Sequence, residues 1–190
     1  MMQDEFLFSG FGGQGVMFAG QLLAYAAMDA GMEVTWIPSY GPEMRGGTAH
    51  CIVVLSDKPI GSPVVKYPLV ILAFNLPSFD KYEPLVKPGG LLVFNQSLVA
   101  QSSKREDIVC LAVPATEFAE EAGDTRLTNM VLLGAALVMR PVLSIDCIER
   151  SIEQHIPYHR RHLLDANFKA LAHGVDFARN QRQLMPVKYE

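Results

Sequence analysis

The stretch Glu5-Phe6-Leu7-Phe8-Ser9-Gly10-Phe11-Gly12-Gly13-Gln14-Gly15 decides the fold. A short apolar run leads into G-x-G-x-x-G, and residues 14–31 then carry apolar side chains over most of a helical surface. Glycines let the backbone turn sharply after a strand, and the first N–H groups of the following helix have no partner inside it. Such a junction brings an anion, phosphate above all, onto a helix N-terminus. The same glycines also suit a bare strand–helix turn, so the motif alone leaves both readings open.

A nicotinamide or flavin site of this type places an Asp or Glu about 20 residues on, at the end of the second strand, for a ribose hydroxyl. The second strand here reads Glu33-Val34-Thr35-Trp36-Ile37 and ends in Pro38-Ser39-Tyr40. Glu33 stands at its beginning and no acid stands at its end, which argues against NAD and FAD.

Working outward, strand and helix patterns alternate almost throughout. Strands are expected at 33–37, 48–56, 69–74, 91–94 and 108–113. Helices are expected at 14–31, 115–122, 127–139, 145–155 and 160–180. The expected architecture is α/β: a single three-layer α/β/α domain over residues 1–190, with a Rossmann-like, mostly parallel sheet. The run 48–55 follows a loop rather than a helix, so it should pair antiparallel or lie at an edge.

Composition narrows the function. The chain has 190 residues, 49% apolar and only 19% charged, with 9 Met and 10 Phe. A partner covering apolar surface would explain that balance, as would ordinary core methionines. The apolar helix at 127–139 and the C-terminal helix are the expected contact elements. A net charge of −4 gives no field for nucleic acid. No apolar run approaches the roughly 18 residues of a membrane span. These features read as a cytoplasmic protein with neither nucleic acid nor membrane as partner. The single basic cluster, Arg160-Arg161 between His159 and His162, reads as a solvated helix face. Cys51, Cys110 and Cys147 form no C-x-x-C, and no metal site is expected.

The loop Tyr40-Gly41-Pro42-Glu43-Met44-Arg45-Gly46-Gly47 is the second unusual feature. It follows the second strand and so should share the carboxyl edge of the sheet with the glycine turn, the edge where open α/β sheets bind ligands. Arg45 beside two glycines offers a guanidinium fork next to backbone N–H groups, which suits phosphate. An ordinary surface loop with a Glu–Arg contact is the other reading. Asn75 and Asn95 end apolar strands and read either as ligand-facing groups or as helix N-caps. Asn129 is polar in an otherwise apolar helix, facing an interface or solvent. No nucleophile elbow, metalloprotease helix, framed carboxylate pair or Walker loop is present, so no catalytic residue is assigned.

Together these residues resemble the gamma subunit of 2-oxoacid:ferredoxin oxidoreductases. The resemblance rests on Gly10-Phe-Gly-Gly-Gln-Gly-Val16, Ser39-Tyr-Gly-Pro-Glu-Met-Arg-Gly-Gly47 and Ser56…Pro59-Ile60…Ser62-Pro63. Further matches are Asn75-Leu-Pro-Ser, Glu83-Pro-Leu-Val-Lys-Pro-Gly-Gly90, Val113-Pro-Ala-Thr-Glu117 and Asn129-Met-Val-Leu-Leu-Gly134. It spans about residues 6 to 155, and the loop at 39–47 looks like the 2-oxoglutarate and branched-chain 2-oxoacid enzymes. Where the family often has an acid just before the strand at 69–74, this chain has Tyr67-Pro68.

The resemblance implies a subunit of a complex that converts a 2-oxoacid and coenzyme A to acyl-CoA and CO2 while reducing ferredoxin. It implies partners of alpha and beta type, with delta in some complexes, and ferredoxin reached indirectly. Thiamine diphosphate and the iron–sulfur clusters would sit in those partners, and this chain would help form the coenzyme A site. The residues expected there are Gly10, Gly12, Gly13, Gln14, Gly15, Tyr40, Gly41, Glu43, Arg45, Gly46, Gly47 and Asn75. The alternative is a free-standing nucleotide- or coenzyme-binding protein that regulates or carries.

Overall fold

A computed structural model describes residues 3–39 and 48–184. Six strands form one sheet: β1 (Gln3–Phe11), β2 (Glu33–Ser39), β3 (Thr48–Ser56), β4 (Val70–Ala73), β5 (Leu91–Asn95) and β6 (Val109–Val113). Their order is β2-β3-β1-β4-β5-β6. β1, β4, β5 and β6 pair in parallel, while β3 runs antiparallel to both β1 and β2. The antiparallel strand expected from the sequence is therefore present, but inside the sheet, and β2 takes the edge. A chain that leaves β2 through a short loop can return only antiparallel, and here it returns between β2 and β1.

β1 is covered on both faces. Phe6 and Phe8 join the larger core with α1 (Val16–Asp29), α3 (Ala115–Ala122), α4 (Thr128–Met139), α5 (Ile145–His155) and α6 (Leu164–Leu184). Leu7 joins the smaller core on the opposite face, under α2 (Leu76–Tyr82). The three layers are therefore unequal. α2 was not read from the sequence, because seven residues containing a proline show too little periodicity. The expected helix at 160–180 begins later, after a 3-10 segment over Tyr158–Leu163, and runs on to Leu184. Among the described residues no helix is long and apolar enough to cross a membrane.

α4 corrects an expectation. Thr128 to Leu137 are all buried within this chain, so the helix is not an apolar face awaiting a partner. A helix apolar on all sides belongs in the middle of a core, and α4 lies between the sheet and α6. The two helices cross at backbone contact. A methyl group at Gly174 of α6 would come within 2.0 Å of the Val131 carbonyl oxygen of α4, and one at Gly134 within 2.4 Å of the Leu171 oxygen.

This close crossing predicts a reversal of the usual glycine rule. Within a helix, Gly→Ala ordinarily stabilises by about 1 kcal/mol. Gly174→Ala is expected instead to destabilise the chain by about 1–3 kcal/mol through overpacking, read as a lower midpoint in denaturant. A raised midpoint would show that the helices are not in backbone contact.

Candidate functional site

The carboxyl edge of β1 is where sequence and geometry converge. Gly10 is still in the strand, and no other residue fits there. A Cβ on it would lie 2.7 Å from Gln14 Oε1 and 2.8 Å from both Phe74 Cβ and Val16 Cγ2. Gly12 and Gly13 form the exposed tip of the turn, and the Gln14 N–H closes it onto the Phe11 carbonyl at 3.2 Å. Gly15 then caps α1 in the left-handed region, at φ 72°. Among the described residues no side chain caps that helix end, which leaves its first N–H groups without a side-chain acceptor there.

Gln14 and Asn75 are brought together. Gln14 Oε1 accepts from the Phe11 N–H at 2.6 Å and from Asn75 Nδ2 at 2.9 Å. Asn75 Oδ1 in turn accepts from the Ser78 N–H at 3.0 Å, which makes Asn75 the N-cap of α2. The buried Ser9 hydroxyl donates to Ser78 Oγ at 3.0 Å. Of the two sequence readings of Asn75, the cap is realised, and the same amide also steadies the glycine turn. Gln14 Oε1 is occupied on the inside, so its Nε2 is the amide group left to meet a ligand.

Tyr40, Gly41, Glu43, Arg45, Gly46 and Gly47 lie outside the described residues. The ends of their loop are fixed all the same. Ser39 pairs with His50 across β2 and β3, and His50 and Thr48 pair with Ser9 and Phe11 of β1. The chain therefore leaves β2 and enters β3 at the same edge from which the glycine turn departs.

The two readings left open for Asn95 and Asn129 by the sequence are both resolved. Asn95 caps a turn, not a helix: its Oδ1 accepts from the Ser97 N–H at 3.2 Å and its Nδ2 donates to Thr116 Oγ1 at 3.0 Å. Asn129 faces neither solvent nor a free surface. It is buried, and its Nδ2 donates to the Gly15 carbonyl at 3.2 Å. Its polarity within an apolar helix was the signal, but nothing local in sequence pointed to Gly15.

Among the described residues, titratable groups near this edge are few. His50 is half-buried beside the Tyr82 ring, with centroids 5.6 Å apart. Burial first, and the Lys81 ammonium second, hold its pKa below the usual histidine value, so it is neutral at pH 7. Burial pushes the Cys51 thiol up to about 12 and also raises Cys110, whereas hydrogen bonds from Ser144 and Arg150 lower the partly exposed Cys147, which lies beside Ala26 and Ala30 at the other end of α1. Cys51 is thus a core thiol, inert at neutral pH.

The fold and this edge define a Rossmann-like α/β domain whose glycine turn presents uncapped helix N–H groups. The sequence matches the pyruvate ferredoxin/flavodoxin oxidoreductase family over residues 5–177, and the chain belongs to that family. Ketoisovalerate oxidoreductase subunit VorA of Methanothermobacter marburgensis is 40% identical over 174 residues, covering 90% of this chain and 36% of VorA. The chain thus spans about a third of VorA. It spans nearly all of 2-oxoglutarate synthase subunit KorC of Methanocaldococcus jannaschii, which is 33% identical over 181 residues, 94% of this chain and 95% of KorC.

Among solved structures, the gamma subunit of a keto/oxoacid ferredoxin oxidoreductase from Geobacter sulfurreducens superposes with TM-score 0.81 at 30% identity. It matches over 93% of this chain and 99% of its own. The 2-oxoglutarate:ferredoxin oxidoreductase of Magnetococcus marinus, a structure with 2-oxoglutarate, coenzyme A and succinyl-CoA bound, shares the fold. Its TM-score is 0.85 at 23% identity, over 95% of this chain and 32% of its own. The gamma-subunit resemblance is upheld. The free-standing carrier alternative is set aside, since these relatives are named as oxidoreductases and their subunits.

The Gln14–Asn75 bond is expected to be measurable. Single Gln14→Ala and Asn75→Ala variants should each lower stability, Asn75→Ala by about 0.5–2 kcal/mol for the lost cap alone. The double variant should show a coupling of about 0.5 kcal/mol or more. Strict additivity in denaturant titrations would mean that the two amides do not interact.

Proposed function

We propose that this chain is the gamma-type subunit of a multi-subunit, thiamine-dependent 2-oxoacid:ferredoxin oxidoreductase, and that its glycine turn holds the phosphate portion of coenzyme A. The complex would take a 2-oxoacid, coenzyme A and oxidised ferredoxin to acyl-CoA, CO2 and reduced ferredoxin. Relatives named for 2-oxoglutarate and ketoisovalerate support a 2-oxoacid as the substrate class.

The observation that carries the binding reading is the left-handed Gly15 turn, with uncapped helix N–H groups, at the edge where the 40–47 loop begins and ends. Backbone donors and a helix N-terminus favour an anion there. Gly10, Gly12, Gly13, Gln14 and Gly15 would form the cradle, with Asn75 holding Gln14 in place. Arg45 would add a guanidinium from the loop that also contains Tyr40, Gly41, Glu43, Gly46 and Gly47. Decarboxylation and electron transfer would belong to partners of alpha, beta and, where present, delta type. Those partners would hold thiamine diphosphate and the iron–sulfur clusters and pass electrons to ferredoxin. Cys51, buried and protonated, is not suited to hold a cluster.

In the reconstituted complex, Arg45→Ala is expected to weaken coenzyme A binding while leaving assembly intact. A charge-assisted hydrogen bond of about 1.5–3 kcal/mol corresponds to a roughly 10- to 150-fold rise in the apparent constant. A wild-type constant accompanied by lost assembly would make the loop an interface element instead.

A further inference from the structure

Asn129 is an expensive residue to keep where it is. It is the second residue of α4, is 4% exposed and is followed by nothing but buried residues as far as Leu137. An amide buried in such surroundings costs free energy unless its polar atoms are paired. Here Oδ1 accepts from the Met130 N–H at 2.9 Å, which leaves Nδ2 as the donor to the Gly15 carbonyl. The fit is close: a Cβ on Gly15 would lie 2.4 Å from that nitrogen. The missing side chain of Gly15 is therefore what lets the amide in, over and above the left-handed φ.

The Gly15 carbonyl also accepts the first intrahelical bond of α1, from the Ala19 N–H at 3.0 Å. With the amide bond added, that oxygen is held from two directions. A peptide unit is planar and trans, so the Gly15 C=O and the Val16 N–H lie in one plane and point opposite ways. Fixing the carbonyl therefore fixes the Val16 N–H, the first donor of α1. The amide itself rides on a stiff support, since α4 is pinned against α6 at Gly134 and Gly174.

We infer that Asn129 is a positioning residue for the anion site: it holds the Gly15–Val16 peptide so that the Val16 N–H is aimed at the ligand before the ligand arrives. The inference rests on the coenzyme A reading above. An anion site gains most from donors already oriented, because no reorganisation is then needed on binding. Asn75 steadies the tip of the turn through Gln14, and Asn129 steadies its helical end, from two separate helices.

The test uses the complex reconstituted with its partner subunits and coenzyme A as the varied substrate. Asn129→Leu removes the donor, and Asn129→Ser fits the site but leaves its hydroxyl short of the Gly15 oxygen. Both are expected to raise KM for coenzyme A about 3- to 10-fold, the size of one lost neutral hydrogen bond, and to change kcat by less. Asn129→Ser decides the matter if Asn129→Leu does not fold. A fall in kcat or melting temperature with an unchanged KM, while Gly12→Ala raises KM, would overturn the inference and leave the binding site standing. If Gly12→Ala and Arg45→Ala also leave KM unchanged, the coenzyme A reading fails and takes the inference with it.

Discussion

The double pairing of β1 is the constraint on which the rest of this structure depends. Its backbone is bonded to antiparallel β3 on one side and parallel β4 on the other, and both its faces are buried. A strand held in this way cannot shift register without turning every side chain to the wrong face. Its end is therefore a fixed point. From that point the chain must pass from Phe11 to the first turn of α1 in four residues, with Phe74, Val16 and Gln14 already crowded around Gly10. Only a glycine turn meets those terms. The uncapped helix N-terminus follows from the same geometry, because a left-handed Gly15 has no side chain with which to cap it.

Polar groups have been recruited to hold this turn rather than to perform chemistry. Ser9, Ser78, Asn75 and Gln14 form a chain of bonds from the interior of the sheet to the turn, and Asn129 reaches it from α4. Buried amides and hydroxyls are costly unless satisfied, and here each contributes to one short segment of backbone. Such an arrangement fits the proposed function, in which this chain would bind and orient a coenzyme and partners would carry the reactive cofactors. It also explains why the apolar run at 127–139 does not mark an exposed face: α4, the most apolar helix, is covered by α6 and the sheet.

Much of this was legible in the sequence. The alternation of strand and helix, the mostly parallel sheet and the strand–glycine–helix junction at Ser9–Gly15 all follow from local patterns. The position of β3 was only half legible. A nine-residue β-branched run after a loop implies an antiparallel partner, but it does not say whether the strand lies inside or outside its neighbour. α2 was hidden because Leu76–Tyr82 spans barely two turns and contains a proline at its start. The Asn129–Gly15 contact was invisible for another reason. Its partners are 114 residues apart, and only tertiary packing brings them together. A polar residue in an apolar helix signals that a partner exists, not which one.

The turn from Phe11 to α1 is the part of this chain proposed to meet coenzyme A. Amide hydrogen exchange of the assembled complex, with and without coenzyme A, tests it without any substitution. Slowed exchange is expected in peptides spanning residues 11–18, where donors that lack an intrahelical partner would gain an acceptor. Unchanged exchange there under saturating coenzyme A, with protection confined to other parts of the complex, would contradict it.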